Sequence, residues 1–320
     1  MRAASELVIC TRNRPAELER CLESVLAQSV PSLTIFVVDS SDTQAARHVV
    51  ERAQLKARPG LVLKVMSTEP GLTRQRNAAV DALEDATEFV HFIDDDAVID
   101  VDYVAAIERV FRADAYGMVA GVGGLIQNLP AHRDSWLDRW FLLDSKQEGV
   151  VLPSGMNIVL CRAQRPTRVD WISGCAMSFR RRVFDEFRFD ASMRGYSIGE
   201  DVEFTFRVSR RYQLLITPDA RVWHYQASSG REARAGLYRQ EVWVRYRLAR
   251  AYPHDLSVAA LVWSCLGRIT LGLARGIRRR RRRYLARALG TALGLLDIVV
   301  RRSDADAGAQ PRPVARGTLA

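Results

Sequence analysis

The 320-residue sequence is poor in cysteine. Its five cysteines (Cys10, Cys21, Cys161, Cys175 and Cys265) are scattered, no two form a C-x-x-C pair, and the total is odd. That argues against a disulfide framework or a zinc site, and it fits a reducing, cytosolic compartment. No internal repeat appears, and no low-complexity tract interrupts the first two-thirds of the chain. Met1–Glu6 followed by Leu7-Val-Ile-Cys10 is too short for a signal h-region, so no export signal is expected.

A surplus of basic charge is also missing from most of the chain. Residues 1–230 carry 28 Lys+Arg against 31 Asp+Glu, whereas residues 231–320 carry 19 against 6. The formal net charge of +10 therefore belongs entirely to the last part, which reads as a separate region with an anionic partner, either nucleic acid or a membrane surface.

What is present in the first hundred residues is an alternation of strands and helices. Leu7–Cys10 reads as a strand, and Pro15 suits position N1 of a helix with Leu18, Leu22, Val25 and Leu26 on one face. Thr34–Val38 is an apolar, β-branched strand ending at Asp39. A helix over 43–56, a strand over 61–66, a helix over 72–83 and a strand over 89–93 follow. Near-continuous apolar strands separated by helices imply a parallel sheet covered on both faces, with its ligand crevice at the strand C-termini. Those ends carry Thr11-Arg12-Asn13, Asp39-Ser40-Ser41 and Asp94-Asp95-Asp96. Beyond residue 100 the pattern predicts a strand over 118–126 and an irregular connection over 128–168 with a helix near 136–143. A strand then approaches a loop at Ser173-Gly174, a helix runs over 200–210, and a short strand over 213–217 stops before Pro218.

Three adjacent carboxylates after an apolar strand repel one another unless solvent or a cation compensates them. Hard divalent cations take such oxygen ligands together with substrate phosphates, and the strand-end position favours that reading over a solvated loop. Glu200-Asp201 opens a helix after the loop Arg194–Gly199. Acidic side chains there can simply answer the helix dipole, or one can serve as general base toward a hydroxyl. His224, in Arg221-Val-Trp-His-Tyr225, is by itself a core histidine or a metal ligand. Arg231, after Ser228-Ser-Gly230, is a surface residue or a phosphate contact.

Six segments occur in order: Val8-Ile-Cys-Thr-Arg-Asn-Arg-Pro15, Phe36-Val-Val-Asp-Ser-Ser41, Gly71-Leu-Thr-Arg-Gln-Arg-Asn77, Phe92-Ile-Asp-Asp-Asp96, Gly199-Glu-Asp201 and His224. Together they resemble the family 2 glycosyltransferases, over residues 5 to 231. The resemblance implies an α/β GT-A fold: a Rossmann-like mixed, mostly parallel sheet flanked by helices, over residues 1–230. It implies a nucleotide-sugar donor, a glycan, glycolipid or lipid-linked acceptor, Mg²⁺ or Mn²⁺ as cofactor, and inversion at the anomeric carbon. Thr11, Arg12 and Asn13 then line the nucleotide pocket, and Asp39 reads the base, often a pyrimidine, so that UDP or dTDP is favoured. Arg76 approaches the diphosphate or stabilises that pocket. Asp94 and Asp95 belong to the donor site, with Asp94 at the ribose or sugar, and Asp96 binds the metal with His224 as a further ligand. Asp201 is the catalytic base. Trp171, Gly174 and Glu200 border the sugar and acceptor. Two departures stand out: Cys10 sits where proline is commoner, and Ser40-Ser41 follows Asp39 in place of an Asn-Gly type pair.

The last region holds two apolar stretches, 256–274 broken by Arg268 and 284–300 containing Arg287 and Asp297, on either side of Arg278–Arg283. A spanning helix needs about 20 apolar residues and a central arginine costs about 2.5–3.5 kcal/mol on insertion scales, so each stretch is marginal for spanning. Helices of residues 231–302 lying on an anionic membrane at its cytoplasmic face are expected, followed by a disordered tail over 303–320. A soluble helical subdomain and a nucleic-acid-binding arm are the rival readings, and nucleic acid leaves the apolar flanks unexplained. For the acidic site the rival chemistry is metal-dependent nucleotidyl transfer.

Overall fold

A computed structural model describes residues 5–129, 135–193, 197–226, 234–280 and 282–305. The chain divides into two compact units. The first comprises residues 1–135, 144–151 and 157–232, and the second residues 136–143, 152–156 and 233–320.

The first unit is built on a sheet of nine strands among the described residues. Its elements begin with β1 (Ser5–Thr11), α1 (Pro15–Leu26), β2 (Leu33–Asp39), α2 (Ala45–Lys56), β3 (Leu61–Ser67), α3 (Leu72–Asp81), β4 (Phe89–Asp94) and β5 (Ala97–Ile99). They continue with α4 (Tyr103–Ala113), β6 (Val119–Ile126), β7 (Thr167–Val169), β8 (Ala176–Arg180), α6 (Val183–Glu186), α7 (Glu200–Ser209) and β9 (Gln213–His224), while α5 (Trp136–Trp140) belongs to the second unit. The strand order is β3-β2-β1-β4-β8-β6-β9-β5, with β7 also pairing β9. The half β3-β2-β1-β4 is entirely parallel, as expected from its βα alternation, and the other half is mixed.

Alternation along the strands sorts the core into two layers. Leu7, Ile9, Ile35 and Val37 face Leu18, Leu22 and Val25 of α1, Val49 and Val50 of α2, and Ile107 and Phe111 of α4. Val8, Phe36, Val38, Val90 and Phe92 face the opposite layer, with Ala79 and Val80 of α3 and Phe204 and Val208 of α7. Phe92, Phe179, Phe184, Phe189 and Phe204 form one aromatic cluster there, with Phe189 stacked on Phe204 at 4.1 Å between centroids. Pro15 is at the first turn of α1, where its missing N–H leaves nothing unsatisfied.

Two sequence expectations change. The strand approaching Ser173-Gly174 is two separate strands, β7 and β8, divided by a loop that reaches Asp94 through the Cys175 carbonyl. The strand expected to stop before Pro218 continues to His224. Thr217 pairs with Gly124 and Arg221 with Leu125, so residues 218–220 form a bulge opposite a single step of β6. A proline is tolerated at a bulge because its lost N–H was not needed by the ladder.

The second unit is helical: α8 (Arg234–Ala251), α9 (Val258–Arg279) and α10 (Arg282–Ala305) pack on a core of Val242, Tyr246, Leu261, Cys265 and Ile298. Arg275 forms a bidentate pair with Asp138 of α5 at 3.0 and 2.6 Å, and Trp263 donates its indole N–H to the Trp140 carbonyl at 2.8 Å. Among the described residues one helix, Val258–Arg278, is long and apolar enough to cross a membrane. Leu266, Leu273 and Ile277 on α9 and Leu289, Leu296 and Val299 on α10 are exposed.

Candidate active site

The strand ends β1, β2 and β4 lie side by side, in register Thr11↔Asp39 and Cys10↔Asp94. Gln75, buried on α3, donates from one amide nitrogen to the carbonyls of Thr11 (3.1 Å) and Val38 (2.7 Å) and so ties the first two ends together. Beyond them the chain turns at Asn13, whose φ of 55° is the left-handed conformation that asparagine tolerates. Its side chain exchanges hydrogen bonds with Asp42, donating to the carboxylate at 2.7 Å and accepting from the backbone N–H at 2.9 Å. Arg12 is exposed and stands 3.6 Å from Asp42. Asp39 is buried to 9 % exposure and accepts the Ser41 N–H at 2.8 Å. The loop is thus held open at the end of the sheet by its own polar side chains.

The three acidic residues have three different surroundings. Asp94 accepts from Arg76 at 3.2 Å, and burial raises its carboxyl above the usual range. Asp95 turns inward, accepting from the Thr11 hydroxyl at 2.8 Å and from Arg14 at 3.2 Å, and burial pushes it up to about 7 against the pull of both. Asp96 stands 3.0 Å from His224 Nε2 and 3.8 Å from Arg14. Burial alone would lower His224, but its bonds to Asp96 and Cys175 lift it to about 11, and a cation bound beside Asp96 would take the place of that proton. One ligand atom each from Asp94, Asp96 and His224 lies within 4.8 Å of the other two. Two carboxylates and an imidazole, already drawn together, fit Mn²⁺ or Mg²⁺.

Glu200 and Asp201 share a helix start but not their surroundings. Gly199, at the N-cap of α7 with φ 81°, turns the chain so that both carboxylates enter the first helical turn. Glu200 points inward and meets Arg76 at 2.5 Å, and burial raises it to about 8 in spite of that cation. Arg76 itself is 2 % exposed. It donates to Asp94 and to the Gly174 carbonyl (3.0 Å), and lies over the rings of Phe92 and Phe189. Asp201 is half-buried, and its two oxygens accept from the backbone N–H groups of Gly174 (3.0 Å) and Val202 (2.8 Å).

Gly174 is glycine for steric reasons. A Cβ there would lie 2.8 Å from Glu200 Oε1, 3.2 Å from Arg76 Nη2 and 3.2 Å from Asp201 Cβ. Trp171 is buried and gives its indole N–H to the Ile158 carbonyl at 3.0 Å.

The structure therefore brings Asp94, Asp96 and His224 together, and links Asp94 to Glu200, Gly174 and Asp201 through Arg76. Arg12 and Asn13 lie on the loop after β1, Asp39 ends β2, and Arg231 lies outside the described residues. Sequence reasoning passed over Arg14 and Gln75. Both sat inside the segments already singled out, Arg14 three residues beyond the end of β1 and Gln75 in the first turn of α3.

Residues 3–242 match a family described as Glycosyltransferase like family 2. The glycosyltransferase GlyA of Streptococcus pneumoniae serotype 4 is 24% identical over 218 residues, which are 64% of this chain and 30% of that protein, so the chain spans less than a third of that relative's length. Among solved structures, the fold is similar to the mannosyltransferase PcManGT of Pyrobaculum calidifontis in complex with GDP-Man and Mn²⁺. The TM-score is 0.56 at 18% identity, covering 95% of this chain and 88% of that one. It is also similar to GalNAc-T7 with UDP, GalNAc and Mn²⁺, with a TM-score of 0.58 at 16% identity, covering 94% and 57%. A third likeness is to residues 1–349 of TarS from S. aureus, with a TM-score of 0.53 at 17% identity, covering 94% and 82%. These likenesses carry the GT-A fold.

Proposed function

This chain belongs to the glycosyltransferase-like family 2, and we propose from that premise that it moves a sugar from a nucleotide-sugar donor to an acceptor hydroxyl, inverting the anomeric centre. The observation that carries the reading is the convergence of Asp94, Asp96 and His224 within 4.8 Å, with Asp201 coupled to them through Gly174 and Arg76.

In this reading Thr11, Arg12, Asn13 and Asp39 receive the nucleotide. Asp39 has one carboxylate oxygen engaged by Ser41, leaving the other to accept from a base N–H, as a uracil or thymine ring offers. A divalent cation bound by Asp96 and His224, with Asp94 beside them, would neutralise the donor diphosphate and improve it as a leaving group. Asp201 takes the proton of the acceptor hydroxyl as that oxygen bonds to the anomeric carbon. The bond to the diphosphate oxygen breaks on the opposite face, and the nucleoside diphosphate leaves with the bonding pair. Two backbone N–H groups keep the Asp201 carboxylate in one orientation, so little ordering remains for the reaction itself. Arg76 acts as a positioning residue: it holds Asp94, the Gly174 carbonyl and Glu200 in one cluster.

The apolar residues exposed on α9 and α10, together with the run Arg278–Arg283, support attachment to an anionic membrane from the cytoplasmic side, with a glycan, glycolipid or lipid-linked acceptor. The test is thermal stabilisation of the full chain by a panel of nucleoside diphosphates with and without Mn²⁺. UDP or dTDP is expected to raise Tm only when Mn²⁺ is present, and Asp96→Asn is expected to lose the effect. A folded protein that responds to none of the panel sinks the donor-site reading. Release of pyrophosphate from a nucleoside triphosphate would favour nucleotidyl transfer instead.

A further inference from the structure

The helical unit contains a buried concentration of arginine that the sugar-transfer chemistry does not use. Arg245 on α8 and Arg268 on α9 are 3 % and 2 % exposed. Arg287 on α10 is close enough for its charge to act on both. Among the described residues one carboxylate pairs with them: Glu241 lies 2.7 Å from Arg268 Nη2 and 3.9 Å from Arg245 Nη1. Asp138, whose charge also reaches Arg287, is already taken in a bidentate pair by Arg275.

The hydrogen bonding shows the same imbalance. Arg245 gives two bonds to the Ser154 carbonyl and one to the Ser264 hydroxyl, and Arg268 reaches Glu241 and the Met156 sulfur. Among the described residues four buried nitrogens have no acceptor: Arg245 Nη1, Arg268 Nε and Nη1, and Arg287 Nε. Burial drives the Arg245 guanidinium down to about 10, with Arg268 adding repulsion that Glu241 only partly offsets. Buried donors are paired in nearly all folded proteins, and a guanidinium stays charged, so a cluster of this kind calls for an acceptor carrying negative charge. The fork geometry of guanidinium groups matches the oxygens of a phosphate.

We infer that Arg245, Arg268 and Arg287 form an anion site for a phosphate group within the helical unit, with Glu241 as its internal counter-ion. The half-buried edge of the cluster is Tyr238, Glu241 and Arg287, with Arg287 over the Tyr238 ring. The phosphate can arrive free in water or on a lipid. The exposed Leu285 and Leu289, on the same helix as Arg287, make the lipid source worth a separate arm. The inference does not rest on the donor-site reading.

The experiment is thermal unfolding of the full chain in a metal chelator, in inorganic phosphate or pyrophosphate against chloride at equal ionic strength. The chelator removes the metal that the donor site would use for the same anions. The wild-type protein and Asp96→Asn are expected to gain Tm from the phosphates, whereas Arg287→Gln is expected to bind roughly tenfold more weakly or worse. Glu241→Gln removes the counter-ion. It should lose Tm in chloride and recover it in phosphate, a rescue that a purely structural role for Glu241 does not produce. No phosphate-specific gain in the wild-type protein, or an equal gain in Arg287→Gln, overturns the site. Sedimentation with phosphatidylcholine vesicles with and without phosphatidic acid then separates the sources. Phosphatidic-acid-dependent binding lost in Arg287→Gln assigns a lipid headgroup, and unchanged vesicle binding alongside a lost phosphate response assigns a water-borne phosphate.

Discussion

The backbone N–H of Gly174 donates to Asp201 Oδ2 at 3.0 Å, and a Cβ on that glycine would stand 2.8 Å from Glu200 Oε1 and 3.2 Å from Asp201 Cβ. The proposed base is therefore aimed by a residue with no side chain. Gly174→Ala pushes on Glu200 and on the Asp201 Cβ, and a displacement of that kind costs on the order of a hundredfold in kcat while KM for the donor changes little. Asp201→Asn keeps the shape and removes the base, and kcat should fall by roughly 10²- to 10⁴-fold with donor affinity retained. Steady-state kinetics on both variants check this, and turnover close to wild type in Asp201→Asn removes it from the role of base.

Arg76 and Glu200 make a second testable pair. Removing one partner of a buried ion pair typically costs about 3–5 kcal/mol because the other charge is stranded. Arg76→Met is expected to lose that much stability in urea unfolding. Adding Glu200→Gln should return part of it, since Glu200 is already biased toward its protonated form by burial. Additive losses in the double variant would show that the pair is not coupled.

His91 predicts an acid limb that has nothing to do with catalysis. It is fully buried on β4, its Nδ1 lies 2.9 Å from the Ser178 hydroxyl, and burial lowers it from 6.5 to about 3. Between those values the unfolded chain binds a proton that the folded chain refuses, so stability rises with pH. The contribution is complete above pH 6.5 and is lost as pH falls toward 3, at about 1.4 kcal/mol per pH unit. In His91→Asn the slope between pH 6.5 and 5 should shrink by that amount, as read from urea midpoints. An unchanged slope refutes the assignment.

Membrane attachment is better tested by point substitution than by truncation. Cutting after Arg250 would remove α9 and α10 from α8 and uncover Val242 and Tyr246, so any change could reflect unfolding. Ile277→Glu and Leu289→Glu act on side chains that are 75 % and 56 % exposed. Each should weaken binding to anionic vesicles several-fold and leave Tm nearly unchanged. Equal sedimentation of wild type and the double variant counts against the membrane reading.

The parallel half of the sheet was legible because β1, β2 and β4 are buried on both faces and so consist of apolar runs, each ending at a polar residue. The residues on those ends, Thr11, Asp39 and Asp94, were legible for the same reason. The mixed half was not. β5 and β7 are three residues each, too short for a period-2 pattern, and β9 passes through a proline that reads as a stop. Sequence spacing also gave no means of seeing that Glu200 turns inward to Arg76 while its neighbour Asp201 does not. Successive positions on a helix point about 100° apart, and only the surrounding packing decides which of them is buried.

The bulge at residues 218–220 carries a consequence for length. Before it, β9 pairs with β7; after it, the same strand pairs with β5, where Ala97 stands opposite His224. Side chains on a strand alternate between faces, so adding or deleting one residue between Thr217 and Val222 would turn His224 away from Asp96 without altering any residue of the acidic cluster. That short span works as a spacer: its count of residues sets whether the imidazole and the carboxylates ever meet.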